Sequence, residues 1–186
     1  MVELLLQHII AEPERLDDLG DGLLLIESSK TQEILLKEGI VTIGKRRSDP
    51  TASLDFDNER LEEGDMEWRP ETLMSLVTPM SRIYCMLHAD KRPFSRILIG
   101  RGAHNDMVIN DPVVSTIHAF IESDANNSQF FLVDNCSKNG TRINACTIDA
   151  RKPTYIEEGD CICFGRAIFY VVSKGVLSDL VSHYTV

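Results

Sequence analysis

Apolar residues in this chain gather into short runs that end at Gly, Pro, Asn, Asp or paired charges, and most runs are of strand length and rich in Val, Ile, Leu and Phe. The pattern predicts strands over 23–27, 33–36, 40–44, 83–88, 96–99, 107–109, 119–122, 129–134, 142–143, 147–148, 161–164 and 167–172. Lys37-Glu38-Gly39, Asn126-Asn127 and Gly165-Arg166 supply turns between neighbouring runs. Val2 to Ile10 fits a helical stripe or a short strand. The stretch 58–80, acidic from Glu59 to Glu67 and broken by Pro70 and Pro79, reads as a solvated linker with Trp68 as an aromatic anchor; Pro70 to Leu76 has the residues for one or two helical turns. The tail, 174–186, reads as a final helical turn or a frayed end. Many short antiparallel strands with little helix imply an all-β sandwich or barrel.

Within the run 161–164, alternation places Cys161 and Cys163 on one face and Ile162 and Phe164 on the other. Five cysteines, an odd number at 85, 136, 146, 161 and 163, fit a reducing compartment better than a disulfide framework. No Cys/His set has the spacing of a four-ligand metal site, so neither a metal nor any other cofactor is expected. The first residues lack a basic leader, and Gln7 and His8 interrupt the opening apolar run, so neither a signal peptide nor a membrane span is indicated.

Charge divides the chain. The whole carries a net charge of -10. Residues 1–80 hold eight Lys and Arg against eighteen Asp and Glu, while 81–186 hold eleven of each. That balance argues against a nucleic-acid partner, because duplex binding rests on clustered cations that neutralise several phosphates. The acidic half also echoes the other: Thr42-Ile43-Gly44-Lys45 resembles Leu98-Ile99-Gly100-Arg101 and Ser53-Leu54-Asp55-Phe56-Asp57 resembles Met107-Val108-Ile109-Asn110-Asp111, after which the echo stops, so the first half is a truncated copy or a set of extra strands covering the main sandwich. A partial copy has too few strands to bury its own face, so an extension over 1–80 is expected to dock on a main domain over 81–175, followed by a tail over 176–186.

Three polar clusters stand at the ends of predicted strands: Ile99-Gly100-Arg101, Ser115-Thr116-Ile117-His118 and Asn135-Cys136-Ser137-Lys138-Asn139-Gly140-Thr141. Loops at strand ends can meet on one rim, and Arg, Ser, Thr, Lys and Asn together offer cations and hydrogen-bond donors suited to a phosphate. Arg101 has a planar fork of donors, Lys138 a mobile point charge, Ser115 and Thr116 hydroxyls, and Asn139 the paired donor and acceptor that an extended backbone also presents. Gly140 after Asn139 favours a tight turn with positive φ. Ser115 and His118 could suggest a nucleophile and its base, but no Gly-x-Ser-x-Gly elbow or orienting carboxylate accompanies them, so no enzyme is expected in this region.

Gly100-Arg101, Ser115-x-x-His118, Asn139-Gly140 and Gly159-Asp160-x-Ile162-x-Phe164-Gly165 occur in that order between about Ser81 and Ser173, and in this the chain resembles the forkhead-associated (FHA) family. The resemblance implies an antiparallel β-sandwich, here with an N-terminal β-rich extension packed on it. It implies a module that binds phosphothreonine-containing proteins in signalling, inside the cell and, in a eukaryote, in the nucleus. By resemblance Arg101, Ser115, Thr116 and Lys138 hold the phosphate, Asn139 holds the peptide backbone, and Gly100, His118 and Gly140 are structural. The Ser-Thr-x-His variant is similar to that of fungal checkpoint kinases, compatible with the N-terminal part of a longer protein. The family's loop before Ser-x-x-His helps select the residue three positions after phosphothreonine. Here that loop is Asp111-Pro112-Val113-Val114, so Val113 is expected to favour an aliphatic residue and Asp111 to repel an acidic one, with Arg142 the nearest alternative cation. The alternative function is a phosphate-independent scaffold of the same fold.

Overall fold

The computed structural model describes residues 3–19, 22–29, 73–86, 96–124, 126, 129–144 and 146–184. The expected strands 33–36 and 40–44, the internal echo, Trp68 and the tip residue Asn127 lie outside the described residues. The chain opens with β1 (Glu3–Leu5), α1 (Leu6–Ala11) and a 3-10 helix (Pro13–Leu19), then β2 (Leu24–Glu27) and β3 (Arg82–Cys85). It continues through β4 (Arg96–Gly100), β5 (Met107–Val108), β6 (Ala119–Ser123), β7 (Phe130–Asp134), β8 (Thr141–Ile143) and β9 (Cys146–Thr147). β10 (Thr154–Ile156), β11 (Cys161–Phe164), β12 (Ala167–Val172) and α2 (Lys174–Tyr184) complete it.

The strands form two sheets, ordered β1-β3-β2-β12-β11-β8-β9 and β10-β7-β6-β4-β5. Described pairs are antiparallel except β4 with β5, where Ile99 faces Met107 and Gly100 faces Val108. The inner faces of both sheets meet in a core of Leu25, Tyr84, Ile97, Ile99, Ile121, Leu132, Ile162, Phe164, Phe169 and Val171 among others. The mostly antiparallel sandwich expected from the sequence is therefore the architecture.

A second core lies on the opposite face of the seven-stranded sheet. There Ile26, Ile83, Cys161, Cys163, Ile168, Tyr170 and Val172 pack against Leu6 and Ile9 of α1, Leu16 and Leu19 of the 3-10 helix, and Leu177, Leu180 and Val181 of α2. This explains why β11 and β12 are buried on both faces, with Cys161 and Cys163 toward the helices and Ile162 and Phe164 toward the sandwich. Two sequence expectations change here. The stretch expected to be a solvated linker contributes Leu73, Leu76 and Val77 to this second core, all at most 4% exposed, because the outer sheet face needs an apolar cover. The tail is an 11-residue helix; its N-cap is Ser173, whose Oγ accepts the Val176 N–H at 3.3 Å.

The ambiguous opening segment is strand and helix in succession. The first turn of α1 begins without a side-chain cap; instead the Leu6 and Gln7 N–H groups donate to the Ser81 and Pro79 carbonyls at 2.9 and 2.7 Å. β2, from the acidic half, lies between β3 and β12, with Leu25 facing Tyr84 on one side and Val171 on the other.

The helical cover yields a direct test. Leu180 is fully buried on α2, so Leu180→Ala should destabilise the protein by about 2–4 kcal/mol in urea unfolding through lost burial and a residual cavity.

Candidate functional site

Three loops leave the same end of the sandwich: 101–106 after β4, 109–118 before β6 and 135–140 after β7. The first two are laced by their backbones. Arg101 N–H donates to Ser115 O at 2.9 Å, Gly102 N–H to Thr116 O at 3.0 Å, and His118 N–H to Ile99 O at 2.8 Å. This close approach explains Gly100: a Cβ there would lie 2.5 Å from Thr116 O, so a side chain would force the loops apart.

Three bonds, besides that of the His118 ring to Gly140 O, tie the third loop to the second. Lys138 N–H donates to Ser115 Oγ at 3.0 Å, Asn139 Nδ2 donates to Val113 O at 2.6 Å, and Asn135 N–H donates to His118 O at 2.9 Å. Gly140 carries the turn back into β8 with φ of 73°, where a Cβ would be strained. Inside the loop, the Asp134 carboxylate accepts Ser137 N–H, Ser137 Oγ–H and Thr141 Oγ1–H at 2.9, 2.6 and 2.6 Å. Burial alone would raise the pKa of Asp134, but these bonds, with His118 nearby, outweigh it and hold the carboxyl below its usual value. Asp134 was not among the residues singled out in the sequence. Its signal was the Asp-x-x-Ser spacing at a strand end, which lets a carboxylate close the following turn.

His118 is fully buried beneath all this. Its Nδ1 accepts the Ser115 N–H at 3.1 Å, so the neutral ring carries its proton on Nε2, which donates to Gly140 O at 3.2 Å. The ring stands edge-on to Phe164, centroids 5.7 Å apart. Burial pushes its pKa below the usual value, partly opposed by the Gly140 bond and Asp134. Both ring nitrogens are engaged with backbone, and Ser115 Oγ is engaged with Lys138 N–H, so Ser115 and His118 are not arranged as nucleophile and base.

Arg101, Thr116, Lys138 and Asn139 are exposed and Ser115 is half-buried, all on the rim these loops make. Arg101 Nε reaches Val114 O at 3.3 Å, and neither Arg101 nor Lys138 is in an ion pair among the described residues. In contrast, Arg82, Arg96, Arg166 and Lys174 each face a carboxylate. No group of three or more His, Cys, Asp or Glu side chains among the described residues could hold a metal ion.

Residues 97–165 match the family model of the FHA domain. The chain carries an FHA domain. Over 78 residues it is 36% identical to an FHA domain-containing protein of Arabidopsis thaliana, a match covering 41% of this chain and 20% of that protein. The chain thus spans about a fifth of the length of that curated relative. Among solved structures, the FHA domain of an Arabidopsis thaliana hypothetical protein is similar with 32% identity and a TM-score of 0.40, over 44% of this chain and 70% of that one. The N-terminal FHA domain of Rad53p from S. cerevisiae, solved in complex with a phosphothreonine peptide, is similar with 18% identity and a TM-score of 0.39, over 46% and 73%.

Beside this rim, Val113 is half-buried against the β11–β12 turn, where a Cβ on Gly165 would lie 2.7 Å from its Cγ2. Arg142 Nη2 donates to Gly165 O at 3.3 Å. Asp111 differs from the sequence expectation. Its Oδ1 accepts the Val113 N–H at 2.9 Å and lies 3.4 Å from Arg166 Nη2, so its charge is partly balanced and its repulsion of an acidic ligand is weaker than the sequence alone implied.

The His118 environment predicts a pH dependence. A His whose folded pKa lies below its unfolded value of 6.5 makes the unfolded state bind more protons, so its contribution is complete above 6.5 and declines as pH falls toward the folded pKa. Asp134 adds a loss in the same direction below its unfolded value of 3.8. Melting curves from about pH 7.5 to about pH 5 should therefore show falling stability, and the fall should shrink in His118→Asn, which does not titrate in that window.

Proposed function

We propose that this FHA domain is a phosphothreonine-dependent interaction module, with Arg101, Ser115, Thr116 and Lys138 holding the phosphate and Asn139 holding the peptide backbone. The observation that carries the reading is the convergence of the three loops. Ser115 Oγ accepts Lys138 N–H while its own O–H proton remains to be donated, and two cations without ion pairs among the described residues border it. A phosphothreonine brings close to two negative charges and three acceptor oxygens, and this rim supplies a fixed guanidinium, a mobile ammonium and hydroxyl donors. Asn139 uses one N–H on Val113 O, which orients the amide and leaves its second N–H and its oxygen for a peptide backbone. Gly100, His118 and Gly140 serve as scaffold: they set the loop spacing without being ligands.

The reading is of binding, not catalysis, in an intracellular signalling protein, and for a eukaryotic chain in the nucleus. The five cysteines, all free thiols, suit a reducing compartment. Val113, with Arg142 beside it, borders the surface where the residue three positions after phosphothreonine would lie, and an aliphatic residue there would gain burial against Val113. A peptide array varying that position reads the preference, and Asp as the favoured residue would assign selection to Arg142 instead.

Isothermal titration with matched peptides tests the main reading. The phosphothreonine form should bind, the unphosphorylated form should not, and phosphoserine should be weaker by about 1 kcal/mol for its missing methyl. Equal affinity for all three would leave a phosphate-independent scaffold as the better account.

Two variants separate ligand from scaffold. Arg101→Ala should abolish binding with the melting temperature nearly unchanged, because the side chain is exposed. His118→Ala should lower both, because it leaves buried backbone groups unpaired at about 1–3 kcal/mol. Unfolding of Arg101→Ala would remove the basis for its assignment as a ligand.

A further inference from the structure

Asn105 occupies a position that ordinarily suits an apolar side chain: it is 7% exposed, in the turn between β4 and β5. Its Nδ2 donates to two carbonyls at once, Gly102 O at 2.6 Å and Thr116 O at 2.7 Å. Its backbone N–H also donates to Gly102 O, at 3.1 Å. Thr116 O thereby accepts from Gly102 N–H and from Asn105, one donor for each lone pair. The Asn105 Oδ1 is buried and has no hydrogen-bond partner among the described residues. An amide kept at a buried position with its acceptor unmatched is kept for its donors, since burying a polar atom unpaired is unfavourable. Space is reserved for it as well: a Cβ on Gly100 would lie 3.0 Å from Asn105 Nδ2.

The two carbonyls belong to the two loops that carry Arg101 and Ser115–Thr116. We propose that Asn105 is a positioning residue of the phosphopeptide site, whose single side-chain amide sets the spacing between these loops so that their donors converge on one phosphate. The inference rests on the phosphopeptide reading above. Asn105 lies behind the loops and touches no ligand; it acts through Gly102 and Thr116. Without its donors the loops retain the Gly102 N–H bond to Thr116 O but lose the cross-brace that fixes their angle.

The test titrates one phosphothreonine peptide into the wild-type protein, Asn105→Asp and Asn105→Ser, at about pH 7.5 and about pH 5, under conditions where amide spectra show each protein folded. Asp keeps the shape, removes both donors and sets a carboxylate against two carbonyl oxygens; protonated, it regains one O–H donor. The ionisable groups near position 105 are Arg101, His104 and Asp106 on its own turn, with His118 beneath; Ser115, Thr116 and Ile117 have none in this range. These groups, and the phosphate itself, are common to all three proteins, so the ratio to wild type at each pH removes their titration.

At about pH 7.5, Asn105→Asp should bind about tenfold more weakly than wild type, and the deficit should shrink at least about threefold at about pH 5. Asn105→Ser, with one shorter donor, should lose less and show no recovery in acid. A residue that merely stabilised the fold would shift the unfolding midpoint and leave the affinity of the folded protein and its pH profile unchanged. Binding by the folded Asp variant within about twofold of wild type at about pH 7.5, or a deficit unchanged in acid, would overturn the inference. If the Asp variant does not fold, Ser decides it, with affinity equal to wild type as the contrary result. Failure of the wild-type protein to bind the phosphopeptide is a separate outcome that overturns the underlying reading and this inference with it.

Discussion

The rim depends on one buried neutral imidazole. His118 accepts from the backbone of the Ser115 loop through Nδ1 and donates to the backbone of the Asn139 loop through Nε2, so a single ring fixes the distance between two loops that share no strand pairing. No other protonation state serves. A second proton would face the Ser115 N–H and place a charge in a buried site, where the cost of desolvation outweighs the help of Gly140 O and Asp134. The ring is itself held, edge-on to Phe164, which packs at 5.8 Å on Phe169, which packs at 6.1 Å on Tyr84. The loop geometry is therefore referred to the middle of the inter-sheet core, and interiors packed at crystal density move little. Asp134 performs the matching task within the third loop, where its carboxylate accepts from Ser137 and Thr141.

The seven-stranded sheet is sandwiched between two apolar layers, and this determines where the chain ends must go. An antiparallel sheet usually keeps one face wet, and its strands then alternate polar and apolar. β11 and β12 do not: their residues are buried along almost their whole length, because α1, the 3-10 helix, the turn at 73–77 and α2 cover the outer face. Segments from both chain ends thus meet on one surface, joined by packing and by the Lys174–Asp17 pair at 2.9 Å. The pair is exposed on the Asp side and contributes little; the buried Leu and Ile side chains stabilise the arrangement. The site lies at the strand ends, away from this second core, so the helical cover affects folding stability without entering the rim.

Much of the sandwich was legible because strand-length apolar runs and their breakers are local signals. The meeting of the loops that carry Gly100-Arg101, Ser115-x-x-His118 and Asn139-Gly140 was legible because each cluster falls at the end of such a run. The helical cover was not read, although its signal was present: Cys161 and Cys163 on the face opposite Ile162 and Phe164 meant that both faces of β11 were apolar, and an apolar outer face requires something to bury it. β10 was missed because Thr154-Tyr155-Ile156 is short and half exposed, so it carries no clear alternation. Asn105 and Asp134 were missed for a different reason. A lone Asn or Asp beside a turn looks the same in sequence whether it faces water or braces two loops, and only the three-dimensional return of Thr116 and Thr141 distinguishes the cases.

Charge shows the same separation between what is global and what is local. The chain is acidic as a whole, and most cations with a described ionic partner are neutralised across strands or between chain segments. Physiological salt screens exposed charges over about 8 Å, so any carboxylate farther than that from the rim contributes little there. Contact-range terms decide there instead: Arg101 and Lys138 lack carboxylate partners among the described residues and sit beside a hydroxyl already oriented by Lys138 N–H. An anion at that point gains charge-assisted hydrogen bonds from groups whose positions are fixed before it arrives, and little further ordering is required. On the proposed phosphopeptide reading, preorganisation by His118 and the interlaced loops, more than net charge, is what would let an acidic protein hold a dianion.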